Sequence, residues 1–178
     1  MNALVVGISD CKISADPDSV LMTYALGSCV AVAVHDPVAR VSGLLHFMLP
    51  EASIDQAKAE QNPYMFADTG VTRMLDQVML SGANRRRLVV RIAGGAQVLN
   101  GHELFQIGKR NYVAARKLLW KAGLLVAAEA VGGEVSRTVR LEVATGKTWI
   151  REGAVEKPLE HSSAGKGIAN GVHSSDRR

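Results

Sequence analysis

Cys29–Val34 is an uninterrupted apolar run rich in valine, and a second, largely apolar stretch, Val41–Met48, follows it across a short polar break. A run of this kind reads as a strand covered on both faces, so a sheet must lie in the interior of the fold. Between the two stretches, Asp36-Pro37-Val38-Ala39 fits a type I turn, with Asp at the first position and Pro at the second. A hairpin closed by pairing Asp36 with Ala39 sets Cys29 directly opposite His46, with Cβ atoms roughly 4.5–5.5 Å apart. A thiol beside an imidazole on one sheet face is the minimum equipment for thiol nucleophilic catalysis. The alternative reading of the same spacing is a small buried cysteine next to a core histidine. A bulge or a one-residue slip would separate the pair.

The rest of the chain alternates between strand and helix signals. Ala3–Ile8 and Val20–Leu26 read as strands around a polar loop that holds Asp16-Pro17-Asp18. Glu51–Pro63 is polar and flanked by proline, a surface excursion beside the presumed site. Val71, Met74, Leu75, Val78 and Met79 recur at helical spacing over Asp68–Ser81, with Asp68 as N-cap and Gly82 as stop. Leu88–Ile92 is a strand that runs into Gly94-Gly95. A second helix, Ile107–Ala122, carries Tyr112, Ala115, Leu119 and Ala122 on its apolar stripe and ends at Gly123. Leu124–Ala130, Arg137–Val143 and Lys147–Ile150 are strands, the last two joined through Thr145-Gly146. Residues 1–151 therefore form one mixed α/β (α+β) domain, and residues 152–178 are expected to be a disordered basic tail.

Composition narrows the function classes. At 178 residues and 47% apolar content the chain is long enough for a real core. No apolar run reaches the ~18 residues needed to span a bilayer, and no leader precedes the first strand, so a cytoplasmic location is expected. Two cysteines make no disulfide framework, and Cys11, in a polar loop-like stretch, reads as incidental. The charge of +4 comes with only 4% aromatic residues, none interleaved among the basic ones, which disfavours nucleic-acid binding. Arg85-Arg86-Arg87 reads as a solvated loop or as a docking patch for an acidic protein surface. Gly94-Gly95-Ala96 lacks the third glycine of a dinucleotide fingerprint and Gly165-Lys166 is no phosphate loop. The histidines His35, His102, His161 and His173 are isolated, and His35 is expected to be exposed, so no metal site and no cofactor are expected.

The text Thr23-Tyr24-Ala25-Leu26-Gly27-Ser28-Cys29-Val30-Ala31-Val32, followed by Gly43-Leu44-Leu45-His46-Phe47-Met48-Leu49-Pro50, closely resembles CheD, the chemoreceptor glutamine deamidase family of bacterial chemotaxis. Four further stretches match in the family's order: Phe66–Gly70, Ile92–Ala96, Ile107–Asn111 and Ala128–Gly133. The resemblance implies a layered sandwich of mixed β-sheets with helices outside, related to toxin-type cysteine deamidases. It also implies hydrolysis of receptor glutamines to glutamate by Cys29 as nucleophile and His46 as acid and base, with Thr23 as the third catalytic residue. Gly27 and Ser28 would let the substrate approach, and the Cys29 backbone N–H would stabilise the oxyanion by analogy. A thiolate favoured by neighbouring imidazolium would be the attacking form. Ser136 and the Tyr24-Ala25 pair depart from the commonest family pattern without touching Cys29 or His46.

The substrate would be a helix of a methyl-accepting chemoreceptor, docked on Glu51–Pro63 and the Gly94–Phe105 loop, where Leu99, Leu104 and Phe105 are apolar. Core packing is the competing reading for those three residues. A CheC-type phosphatase is a second expected partner. Receptor glutamyl methylesterase activity and a purely regulatory binding module are the alternatives to deamidation.

Overall fold

A computed structural model of the chain describes residues 1–97 and 102–160, with residues 102–106 given by their backbone alone. Two five-stranded mixed sheets form the body. The first has the order β1 (Asn2–Val5), β3 (Ser19–Leu26), β8 (Arg137–Glu142), β9 (Thr148–Glu152), β10 (Val155–Pro158). The second has the order β2 (Asp10–Ser14), β5 (Val41–Phe47), β4 (Val30–Asp36), β6 (Val89–Gly94), β7 (Val126–Val131). A short α1 (Gln56–Gln61) precedes α2 (Ala67–Leu80), and α3 (His102–Lys121) connects β6 to β7.

Side-chain alternation explains the layering. On β4, Ala31 and Ala33 face the first sheet, where they pack with Leu21, Leu26, Val139, Leu141 and Ile150. Val30, Val32 and Val34 face the other way, onto Val71, Met74 and Val78 of α2 and Ala115 and Leu119 of α3. β4 and β5 are buried along their whole length, as the apolar runs require. Both long helices pack on the outer face of the second sheet, so the layers run sheet, sheet, helices, the expected layered sandwich of mixed sheets with outer helices. Their buried stripes are the ones the sequence periodicity marks.

Several expectations change. Asp10–Ser14, read as loop, is edge strand β2 and pairs with β5. Its residues are all half-buried, without the in–out alternation that marks a strand in sequence. Asp68 is not an N-cap: α2 starts after Phe66, and the Asp68 carboxylate accepts from the Ala52 N–H at 3.0 and 3.1 Å. The ordered chain continues past Arg151. β10 pairs with β9, Leu159 is buried between the sheets, and its carbonyl accepts from Arg91 Nε at 3.0 Å. The remaining part of the expected tail, 161–178, lies outside the described residues. His35 is buried rather than exposed, with Nδ1 2.9 Å from Ser42 Oγ and its ring under the Gly146 turn. Of the three arginines, Arg87 is structural, paired with the fully buried Asp36 carboxylate at 2.8 Å.

Candidate active site

The site lies where the chain crosses from one sheet to the other. β3 carries one extra residue between Thr23 and Leu26 relative to β8, a bulge at Tyr24-Ala25 with Ala25 at φ 56°. Bulges re-aim side chains and end strand pairing. Here the chain leaves the first sheet, turns through Gly27-Ser28-Cys29, and enters the second as β4.

The β4–β5 register differs from the expected one. Asp36 pairs with Val41 and Ala31 with His46, so the hairpin loop has four residues and Cys29 is not directly opposite His46. Two-residue loops favour the primed turn types, whose twist matches the strands, so Pro37 in a type I turn calls for the longer loop. The Asp36 carboxylate stabilises it by accepting from the Val38 and Ala39 N–H groups at 2.9 and 3.1 Å, and Arg40 takes the left-handed conformation at φ 53°. Because the register moves by two residues, the side chains keep their face. Cys29 packs among the residues between the sheets, on the face that carries His46, and such diagonal neighbours are typically about 7–8 Å apart.

His46 is 1% exposed and reaches across the sandwich to β3, where its Nδ1 lies 2.8 Å from Thr23 Oγ1. The Thr23 hydroxyl donates its single hydrogen to the Val6 carbonyl, also at 2.8 Å. Its oxygen can therefore only accept from His46, which puts the imidazole proton on Nδ1. Nε2 is left with a bare lone pair, buried and without a hydrogen-bond partner among the described residues. Thr23 thus fixes the tautomer that a proton-accepting histidine needs.

Burial sets the charge state. Desolvation pushes the Cys29 thiol up, opposed by its own backbone N–H, and holds His46 down to about 4, opposed by Asp10. Asp10 is the β2 residue paired with His46, a neighbour that the loop reading of this stretch concealed. The resting pair is therefore thiol and neutral imidazole, not the expected thiolate and imidazolium. Cys11 is pushed up to about 12, chiefly by desolvation, which makes it the less reactive thiol.

These shifts predict two pH effects. Between pH 4 and about 6.5 the unfolded chain holds a proton at His46 that the folded one refuses. Stability should therefore rise with pH through that window, by about 3 kcal/mol, and be fully present above it. The acid limb of activity should fall near pH 4 rather than near the ordinary histidine value, and thiolate ultraviolet absorbance should be absent at neutral pH. A neutral-pH thiolate signal that vanishes in Cys29→Ala would contradict the neutral pair.

Gly94 and Gly95 hold positive φ angles, as tight turns require. A Cβ on Gly94 would collide with the Cys29 carbonyl, so glycine is needed for this close approach. Pro50, Glu51, Asp68, Ala114, Lys117 and Lys121 line a groove of about 200 Å³ between the Glu51 excursion and α3. Leu99 lies outside the described residues. Leu104 and Phe105 belong to α3 rather than to a loop, and their side chains are outside the description. Among the described residues, no cluster of His, Cys, Asp or Glu is placed to hold a metal, and no helix is long and apolar enough to cross a membrane.

A thiol, an imidazole of fixed tautomer and a hydroxyl that orients it are the equipment of cysteine-dependent hydrolases. Residues 48–152 match the family model described as CheD chemotactic sensory transduction. The chain is 52% identical to a probable chemoreceptor glutamine deamidase CheD of Solibacter usitatus (strain Ellin6076), over 94% of this chain and 99% of that one. It is 44% identical to the probable chemoreceptor glutamine deamidase CheD 1 of Syntrophus aciditrophicus (strain SB), over 85% of this chain and 94% of that one. The similarity to a probable chemoreceptor glutamine deamidase CheD of Syntrophotalea carbinolica (strain DSM 2380 / NBRC 103641 / GraBd1) is 46% identity over 82% of this chain and 91% of that one. The chain belongs to the CheD family. The family model begins beyond His46, whereas the alignment with the Solibacter protein takes in 167 of the 178 residues and so spans Thr23, Cys29 and His46.

Proposed function

We propose that this protein deamidates glutamine side chains of methyl-accepting chemoreceptors to glutamate, with Cys29 as nucleophile, His46 as proton carrier and Thr23 as its orienting partner. The observation that carries this reading is the His46 Nδ1–Thr23 Oγ1–Val6 O chain, which leaves a bare Nε2 on the face shared with Cys29. The names of the relatives agree with it.

The steps follow from the protonation states. Nε2 takes the thiol proton as sulfur bonds to the carboxamide carbon, and the carbonyl electron pair moves onto oxygen. The pair returns as the C–N bond breaks, and the proton on Nε2 passes to nitrogen, which leaves as ammonia. Water then attacks the thioester and gives a proton to Nε2. The C–S bond breaks, the proton returns to the thiolate, and the carboxylic acid formed ionises to glutamate, its proton taken up by the released ammonia. Amide hydrolysis of this kind changes no oxidation state and needs only water.

The receptor glutamine would be presented on a helix face, so affinity must come from surface beside the site. The groove between Pro50-Glu51 and α3, continued by Lys109, Arg110 and Val113, supports docking there. In the same reading a CheC-type phosphatase would compete for this surface, coupling its binding to inhibition.

Mass spectrometry of receptor cytoplasmic fragments with and without the protein tests the reading. The expected result is a gain of roughly one dalton at particular glutamines, with ammonia released. Free glutamine should be turned over far more slowly, because it lacks the remote contacts that stabilise the transition state. Loss of methyl groups from receptor glutamyl esters with no glutamine conversion would assign the site to esterase work. Binding of a CheC-type phosphatase with neither reaction would make the protein a regulatory module.

A further inference from the structure

The segment carrying Cys29 is held from behind through three successive carbonyls. Ala96 N–H donates to the Gly27 carbonyl at 2.7 Å, and Gly95 N–H donates to the Cys29 carbonyl at 2.8 Å. The middle carbonyl, that of Ser28, is held by a side chain, Asn111 Nδ2 of α3, at 3.1 Å. Asn111 is 0% exposed, and the same nitrogen donates to the Met48 carbonyl, two residues beyond His46, at 2.9 Å. Both acceptors are carbonyls, so the nitrogen must face them. The amide oxygen is left buried without a partner among the described residues. α3 can come this close because Gly108, one turn before Asn111, packs directly against the Gly95 carbonyl.

The Ser28 carbonyl and the Cys29 N–H belong to one planar peptide unit, and no described peptide bond is cis. In a trans unit the two groups point in opposite directions. Holding the Ser28 oxygen toward α3 therefore aims the Cys29 N–H away from the helix, on the side of its own sulfur.

We propose that Asn111 is a positioning residue for the reaction: its amide aims the Cys29 N–H at the oxyanion and ties the nucleophile segment to the end of the strand that carries His46. This rests on the deamidase reading. As sulfur bonds to the carboxamide carbon, the carbonyl pair moves onto oxygen, which accepts from the Cys29 N–H. When the pair returns and ammonia leaves, the hydrogen bond weakens again. The interaction is strongest in the transition state, so its loss belongs in kcat.

Asn111→Ala and Asn111→Leu test the proposal on a receptor cytoplasmic fragment. The leucine variant nearly keeps the volume and has no donor for either carbonyl. In both, kcat should fall about 10²–10³-fold, the loss typical of one oxyanion donor. KM and the rate of Cys29 alkylation by iodoacetamide should stay at their wild-type values. Retained kcat in either folded variant overturns the proposal. So does a kcat loss matched by an equal loss of alkylation, which would mark a collapsed site. A second measurement needs no variant: in wild-type protein, the Cys29 amide resonance should move when Cys29 forms an adduct with a receptor peptide whose glutamine carboxamide is replaced by an aldehyde. An unmoved resonance with the adduct present overturns it. If the deamidase reading itself fails, the wild type neither converts the receptor nor forms the adduct. If only this inference fails, both are intact.

Discussion

Cys29→Ala should abolish receptor deamidation while leaving the thermal transition close to wild type. The substitution removes the only atom that can form the thioester in the proposed route, and it leaves the half-buried position filled by a small apolar side chain. His46→Ala should cost on the order of 10²–10⁴ in rate, the usual contribution of a general acid–base group. Thr23→Ala should fall between His46→Ala and wild type. It leaves the imidazole in place but removes the acceptor that holds the proton on Nδ1, so a fraction of molecules would carry the unproductive tautomer. Receptor conversion measured for the three variants gives the order. Full activity of Thr23→Ala would assign Thr23 to structure alone, and an active His46→Ala would remove His46 from the chemistry.

Asp36→Ala should be the most damaging substitution for stability, at roughly 3 kcal/mol, because it strips the Val38, Ala39 and Asn84 N–H groups of their acceptor as well as breaking the pair with the partly exposed Arg87. That corresponds to a fall of about 10 °C in the thermal transition of a chain this size. The carboxylate is 0% exposed and accepts from the Asn84, Val38 and Ala39 N–H groups and from Arg87. Arg87 beside it is the main reason its pKa lies well below the usual carboxylate range. The stability from this depressed pKa is present above about pH 4 and is lost as pH falls toward the folded value. The residue sits at the far end of β4, roughly 20 Å from Cys29, so activity of the folded fraction at low temperature should survive. Calorimetry beside a receptor assay separates the two effects, and an unchanged transition would contradict the structural role.

Legibility in the sequence followed burial. Cys29–Val34 and Val41–Met48 announced themselves because strands covered on both faces must be apolar throughout. The stripes of α2 and α3 were equally plain. The edge strands were not. β10 is exposed at every residue and β2 is half-buried at every residue, so neither carries the alternation by which strands are recognised. Losing β2 also hid Asp10 beside His46. A two-residue type I loop at Pro37-Val38 predicts the Asp36–Ala39 pairing, whereas strand twist favours the four-residue loop that pairs Asp36 with Val41. Since side chains alternate with a period of two, a shift of two residues preserved the face shared by Cys29 and His46. Asn111 stood inside a recognised family stretch, but nothing in one sequence says that a helical asparagine reaches two carbonyls on separate segments. Its signal is three-dimensional. The same holds for the protonation states. Proximity alone suggested an ion pair, whereas burial on both sides favours two neutral groups.

The most direct test of the account is to trap the covalent intermediate. Wild-type protein mixed with a receptor cytoplasmic fragment, quenched in acid within the first turnover and digested, should yield the Cys29 peptide joined through a thioester to the receptor glutamyl residue. The adduct mass should equal the sum of the two peptides less one ammonia. The adduct should disappear on longer incubation as glutamate accumulates, and Cys11 should carry none. Receptor glutamines converted to glutamate with no adduct at Cys29 at any time, or with the adduct at Cys11, would contradict the account.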